Sequence, residues 1–185
     1  AEHVNAGADF TVACLQVPVS DAAGQLGVME VDHTGQIIGF EEKPVSPKPL
    51  AGDPDKALAS MGIYTVSYAY LNQRLREDAD NADSSHDFGR DIIPDGLARG
   101  DHLQAHQFVN PHGDHAPYWR DVGTINAYYQ ANLELISSNP PMDLYDQSWA
   151  TLTSQPQLPP AHFVDGGDSH GTKDAMVSGG CVVID

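Results

Sequence analysis

Positive charge is scarce in this sequence. Lysine and arginine together number 9 among 185 residues, against 26 aspartates and glutamates, so the formal net charge is −17. So acidic a surface repels nucleic acid and anionic membranes, which sets polyanion binders aside. It also means that an anionic substrate must be met by a few placed cations. Long hydrophobic runs are missing too. No stretch approaches the ~20 apolar residues that a spanning helix needs, and Ala1 to Asp9 has neither the basic nor the apolar region of a signal peptide. Cysteine is limited to Cys14 and Cys181, each inside an apolar run. Both are expected to be buried, reduced thiols, and the lack of any CxxC pair excludes a zinc ribbon or a dithiol redox site. No internal repeat and no low-complexity tract is present. His102, His106, His112 and His115 lack the spacing of a zinc site and are not expected to bind metal.

What is present is a soluble globular composition, 41% hydrophobic and 19% charged, on a chain long enough for one ordinary domain. Thr11 to Val17 is a nearly continuous apolar run and reads as a buried strand. Leu26 to Val31 and Gln36 to Lys43 read as a hairpin around Asp32-His-Thr-Gly35, with Gly35 supplying the turn. Pro44 is expected to keep Lys43 extended. Val45 to Asp55, rich in proline, reads as an irregular loop. Ser60 to Ser67 reads as a strand, and Ser67 as the N-cap of a helix with Tyr68, Leu71 and Leu75 on one face. Phe88, Ile92, Ile93 and Leu97 have helical spacing, with Pro94 expected to kink or interrupt the helix. Gln104 to Val109 suggests another strand, Tyr118 to Val122 a short strand or turn, and Gly123-Thr124 opens a helix carrying Ile125, Tyr128, Tyr129, Leu133 and Ile136. The chain opens on what reads as the tail of a helix. Strands alternating with helices, plus a hairpin, give an α/β fold with a mixed sheet. Residues 137–176 lose periodicity and read as a linker, and 177–185 as a final strand.

Four constellations carry chemistry. In Phe40-Glu-Glu-Lys-Pro44, a regular strand points Glu42 and Lys43 to opposite faces, whereas a bend before Pro44 brings both toward a ligand. The lysine ammonium suits a sugar phosphate and the carboxylate can accept two sugar hydroxyls. Solvated charges at a strand end are the plainer reading. In Ser60-Met-Gly62, the strand glycine marks either close approach of a ligand or segment, or simple packing. In Ser84-Ser-His-Asp-Phe-Gly89, Ser85 or Asp87 can cap the next helix. The adjacent Ser and His do not amount to a hydrolase triad, because no G-x-S-x-G elbow accompanies them. Tyr118-Trp-Arg-Asp-Val-Gly-Thr124 combines an aromatic platform, a cation and a carboxylate. Asp121 is a hard oxygen ligand suited to Mg2+, and an internal ion pair of Arg120 is the alternative.

Taken in order, these strings resemble one family. Together with Gly27-Val-Met29, Ala59-Ser-Met-Gly-Ile-Tyr64, Leu158-Pro-Pro-Ala161, Ser169-His-Gly171 and Val177-Ser-Gly-Gly-Cys181, they are similar to the bacterial ADP-glucose pyrophosphorylases (glucose-1-phosphate adenylyltransferases) over essentially the whole chain. The Ser84–Gly89 and Tyr118–Thr124 strings are specific, and the Glu-Lys-Pro element is shared by many sugar nucleotidylyltransferases. The resemblance implies the C-terminal half of a Rossmann-like nucleotidyltransferase domain over 1–136, a linker over 137–176, and the start of a left-handed parallel β-helix over 177–185. It implies transfer of the adenylyl group of ATP to glucose 1-phosphate with Mg2+, giving ADP-glucose and pyrophosphate for glycogen synthesis, in a cytoplasmic homotetramer. Lys43 matches the lysine that holds the sugar phosphate and Glu42 the acid on the glucose hydroxyls. Ser60, Gly62, Asp87 and Trp119 match positions lining the glucose site, and Asp121 matches one of two metal aspartates. The family's glycine-rich ATP loop and partner aspartate have no counterpart here, so the 185 residues alone are expected to be an inactive fragment. Competing expectations are a nucleotidylyltransferase using UTP, GTP or dTTP, a non-catalytic regulatory subunit of the family, and an unrelated carbohydrate-binding module.

Overall fold

The computed structural model describes residues 1–109, 117–137, 140–142, 162–164 and 182–184. The chain separates into two compact units, Ala1–Trp119 and Arg120–Asp185.

The first unit is built on a five-stranded sheet. Its elements follow in the order α1 (Glu2–Ala6), β1 (Phe10–Pro18), α2 (Val19–Ala22), β2 (Val28–Val31), β3 (Ile37–Glu41), β4 (Lys56–Val66), α3 (Tyr68–Ala79), α4 (Ile93–Arg99) and β5 (Leu103–Gln107). The strand order is β3-β2-β4-β1-β5. β1 is antiparallel to β4 and parallel to β5, and β2 is antiparallel to both β3 and β4. This is the mixed α/β sheet expected. The core forms where apolar strand residues meet the helical segments: Phe10, Val12, Cys14, Met29, Ile37, Leu58, Ile92, Ile93 and Leu103 are buried together, with Tyr70 and Leu97 packed against them. Each large side chain so buried contributes about 1.5–3 kcal/mol. Cys14 is a buried free thiol, as expected, and burial pushes its pKa up to about 12. Cys181 lies outside the described residues.

The β2–β3 hairpin turns where the sequence places it. Asp32 Oδ1 accepts from the Thr34 amide at 2.8 Å, the Thr34 hydroxyl at 2.7 Å and the Gln36 amide at 3.0 Å, and Gly35 takes φ 83°. These hydrogen bonds hold the Asp32 carboxyl below the usual carboxylate range, the Thr34 hydroxyl being the largest cause.

Three local expectations are corrected. Lys43 is not extended: its φ is +50°, and the chain bends at Glu42–Lys43 after β3 ends at Glu41. The steric bias from Pro44 is overridden by the tertiary course of the chain, in which the Pro44 carbonyl accepts from the Gly24 amide at 2.8 Å. Ser67 does occupy the N-cap of α3, but its hydroxyl makes no cap bond; it donates to the Ala8 carbonyl at 3.3 Å and meets His3 Nε2 at 3.2 Å. The buried side of α3 is not the one through Tyr68 and Leu75, which are 82% and 41% exposed; Arg74 is buried instead and stacks on the Tyr70 ring. A stem of methylenes and a stackable guanidinium let arginine fill a site that apolar periodicity assigns elsewhere. The interruption expected at Pro94 is present: the helical run changes from a π-helical turn over Phe88–Ile92 to α4, with Pro94 in the first turn of α4.

In the second unit, α5 (Ile125–Leu135) starts where expected, with the Thr124 hydroxyl accepting from the Ala127 amide at 3.1 Å. Tyr118–Val122 forms no regular element. β6 (His162–Val164) pairs in parallel with β7 (Val182–Ile184). Residues 165–181, which include most of the expected final strand, lie outside the described residues. No helix among the described residues is long and apolar enough to cross a membrane.

Candidate functional site

The bend after β3 places Glu42 against two glycines. A Cβ built on Gly27, which precedes β2, would lie 2.6 Å from Phe40 Cζ and 2.8 Å from Glu42 Oε2; one built on Gly89, in the π-helical turn, would collide with the same Oε2. Both are distances real Cβ atoms do not show, so a side chain at either glycine would displace the Glu42 carboxylate from where it now lies. β4 lies beside Gly27, with the Ser60 amide donating to the Gly27 carbonyl at 2.8 Å. Glu42, Asp87, Ser60 and Tyr64 therefore form one neighbourhood, floored by the aromatic stack of Phe10, Tyr64 and Phe88, in which Tyr64 and Phe88 have ring centroids 5.1 Å apart.

The electrostatics of this neighbourhood are set by two carboxylates and two cations. Glu42 is half-buried, and its carboxyl is raised above the usual range, first by burial and then by the charge of Asp87; Lys43 and Arg90 pull it back down. Tyr64 is also raised, chiefly by burial, against a hydrogen bond with Ser60 that acts the other way. Lys43 is exposed, with its backbone in the left-handed region. For a residue with a Cβ this conformation is uncommon and costs about 1 kcal/mol, and such strain clusters at functional sites.

Asp87 serves as the cap that the plainer reading of its string predicted. Its Oδ1 accepts from the Gly89 amide at 2.8 Å and the Arg90 amide at 2.9 Å, opening the π-helical turn. Gly62 has φ +67°, and nothing lies within 4 Å of a Cβ built there. It sits in a bulge: Val12 of β1 faces Tyr64 and Cys14 faces Ser60, so one residue of β1 opposes three of β4. Its glycine is required by backbone conformation, not by the close approach of another segment.

Trp119 is half-buried at the end of the first unit. Asp121 belongs to the second unit, exposed, with Oδ1 accepting from the Gly123 amide at 3.0 Å. Arg120 is ion-paired with Glu134 of α5, its Nε lying 3.1 Å from Oε2, as the plainer reading of its string anticipated. His106 pairs with Glu2, and among the described residues no three His, Cys, Asp or Glu side chains cluster as a metal site. His112 and His115 lie outside the described residues.

A profile of the family described as nucleotidyl transferase matches residues 1–138. The chain belongs to the nucleotidyl transferase family. It is 49% identical over 185 residues to the glucose-1-phosphate adenylyltransferase 1 of Alkalilimnicola ehrlichii, covering 99% of this chain and 43% of that protein. It is equally similar, at 49%, to the glucose-1-phosphate adenylyltransferase of Shewanella sp. strain ANA-3, of which it covers 44%. The chain thus spans less than half the length of the relatives it matches.

Sequence reading singled out Glu42, Lys43, Ser60 and Asp87, and the fold brings Glu42, Ser60 and Asp87 around Tyr64, with Lys43 beside Glu42. It did not single out Gly27, Gly89, Tyr64 or Phe88, although all four stood within the strings it used. A glycine immediately before an apolar strand, and another two residues after an aspartate, were the available signals. Neither announces the partner, because the Glu42 carboxylate that lies against them is 15 residues from one and 47 from the other in sequence.

Proposed function

We propose that the full-length protein carrying this chain transfers the adenylyl group of ATP to α-glucose 1-phosphate, giving ADP-glucose and pyrophosphate. The observation that carries the reading is the pairing of an exposed lysine, Lys43, with the glycine-flanked Glu42 on one backbone bend. The names of relatives 49% identical over nearly all of this chain support it. In this reading the Lys43 ammonium takes the sugar phosphate, and Glu42 accepts glucose hydroxyls, with Ser60, Gly62, Asp87 and Trp119 along the sugar. A phosphate oxygen of glucose 1-phosphate forms a bond to the α-phosphorus of ATP while the bond from that phosphorus to the bridging oxygen breaks, and the pair of electrons leaves with pyrophosphate. Lys43 orients the attacking phosphate and offsets charge as two anions meet.

Asp121 is the residue that would hold Mg2+. The chemistry of its donor fits: it is an exposed carboxylate whose Oδ1 takes one amide hydrogen bond and whose Oδ2 accepts none from a described residue. Mg2+ draws most of its shell from waters and substrate phosphates, so one or two carboxylates suffice. When bound, the ion would neutralise charge on the phosphates.

The same reading makes residues 177–185 the start of a left-handed parallel β-helix, for which the parallel β6–β7 pair is the support, and makes the protein a cytoplasmic homotetramer, testable by light scattering. The deciding assay is pyrophosphate release from glucose 1-phosphate with ATP, UTP, GTP and dTTP, with and without a chelator, in wild type and Lys43→Ala. ATP-selective, Mg2+-dependent turnover is expected, with an apparent KM for glucose 1-phosphate raised ~10-fold or more in the variant, the equivalent of at least about 1.4 kcal/mol of lost binding. Turnover with another nucleotide changes the donor. No turnover with any nucleotide favours a regulatory subunit, and sugar affinity indifferent to the phosphate favours a carbohydrate-binding module.

A further inference from the structure

The loop between α3 and the π-helical turn is held from behind by a carboxylate that no reading of the site includes. Asp78, in the last turn of α3, is nearly buried, its side chain 12% exposed. Oδ1 accepts from the Ser84 hydroxyl at 2.5 Å and Oδ2 meets His86 Nδ1 at 2.8 Å. The Ser84 hydroxyl oxygen in turn accepts from the His86 amide at 3.0 Å. The result is a closed triangle of Asp78, Ser84 and His86, and within it His86 adopts φ +59°, a left-handed conformation uncommon for any residue but glycine.

The consequence falls on the next residues. A left-handed residue reverses the chain locally, and here the reversal delivers Asp87, Phe88 and Gly89. On the far side Asp91 completes the frame: its Oδ2 accepts from the Ser85 hydroxyl at 2.6 Å and from the Asp87 amide at 3.0 Å. Gly89 then sits where its missing side chain leaves room for Glu42 Oε2, and Phe88 stacks on Tyr64. Asp78 touches none of Glu42, Lys43, Ser60 or Asp87 directly. It reaches them through two hydrogen-bonded residues and one strained backbone angle.

We infer that Asp78 is a positioning residue for the sugar-phosphate site, fixing through Ser84 and His86 the backbone that sets Asp87 and Gly89 against Glu42. This rests on the function proposed above, and it adds a residue 36 positions from Glu42. Because Glu42 and Asp87 would contact the sugar in ground and transition state alike, loosening them raises KM for glucose 1-phosphate and leaves kcat and the KM for ATP in place. A substitution acting only through general stability has no reason to separate the two substrates.

The test uses the full-length protein in four forms: wild type, Asp78→Ala, Asp78→Asn and Glu77→Gln. Asparagine keeps an acceptor for Ser84 and offers N–H to the other histidine tautomer, so it is the rescue variant. Glu77, one residue away, pairs with Arg74 and Arg99 and not with the loop, so it is the stability control. Kinetic constants for both substrates are measured beside hydrogen exchange of peptides spanning residues 84–90. For Asp78→Ala we expect KM for glucose 1-phosphate to rise ~10-fold, the size of a lost positioned contact, with kcat and the ATP KM within about twofold and exchange in 84–90 faster. Asp78→Asn should recover most of the KM, and Glu77→Gln should leave it unmoved. An unchanged glucose 1-phosphate KM in Asp78→Ala, or equal rises for both substrates, overturns the inference while the proposed function stands. If wild type itself shows no turnover, it is the function that fails; the positioning claim is then decided by exchange alone, faster exchange in 84–90 of Asp78→Ala upholding it and unchanged exchange overturning it.

Discussion

Glu42 and Gly89 share one space: the carboxylate Oε2 of the first occupies the position that any side chain on the second would need. The two residues come from opposite sides of the site, one from the bend after β3 and the other from a π-helical turn. Their contact ties the acid to the loop. Gly89→Ala is therefore expected to push Glu42 out of place and raise the KM for glucose 1-phosphate roughly tenfold, about 1.4 kcal/mol of binding, with the KM for ATP unchanged. Steady-state kinetics on both substrates check this, and equal effects on the two would contradict it.

Glu42 holds its proton more tightly in the folded protein than in the unfolded chain, through burial first and the neighbouring Asp87 second. Its contribution to stability is thus full below the ordinary glutamate range and is lost as pH rises through its raised folded value. At pH 7 the ionised group costs stability. Glu42→Gln should melt higher than wild type at pH 7, and the gap should close as pH is lowered toward 4. A gap that widens on acidification would reverse the sign of this argument.

Gly62 owes its glycine to φ +67° in open space. Gly62→Ala adds no clash, so its cost is the left-handed backbone alone, about 1 kcal/mol. A fall in Tm of ~2–4 °C is the corresponding shift for a cooperative unit of about 150–250 residues. No fall at all would mean that the β4 bulge relaxes to a conformation suited to alanine.

Cys14 is walled off chemically as well as sterically. With its pKa pushed up to about 12, its thiolate fraction at pH 8 is on the order of 10⁻⁴. Iodoacetamide should leave the Cys14 peptide unmodified in the folded protein and alkylate it in guanidinium, as read by mass spectrometry. Rapid labelling under native conditions would place the thiol at the surface.

Phe10 is 1% exposed, contacts Tyr70, and forms the aromatic floor of the site with Tyr64 and Phe88. Phe10→Ala should cost about 3–5 kcal/mol through the cavity it leaves, and urea unfolding would show it. A cost under ~1 kcal/mol would mean that the aromatic floor closes over the gap.

By itself the sequence determined the elements whose causes are local. The β2–β3 turn follows from Asp32 and Gly35, α5 from its Thr124 cap, and the buried strand β1 from its apolar run; each is settled by residues within a few positions of one another. It also placed Glu42, Lys43, Ser60 and Asp87 on its list of chemically useful residues, by the strings in which they stand. Only the tertiary structure decided the rest. The left-handed turn at Lys43 overrode the local bias of its proline, Arg74 displaced the apolar face expected of α3, and Asp78 became the brace of a loop it precedes by six residues. The physical reason is the same in each case: these positions are fixed by space and hydrogen bonds supplied by other parts of the chain. Gly27 and Gly89 are the clearest instance, since the space a side chain there would need is taken by Phe40 and Glu42 at the first and by Glu42 at the second.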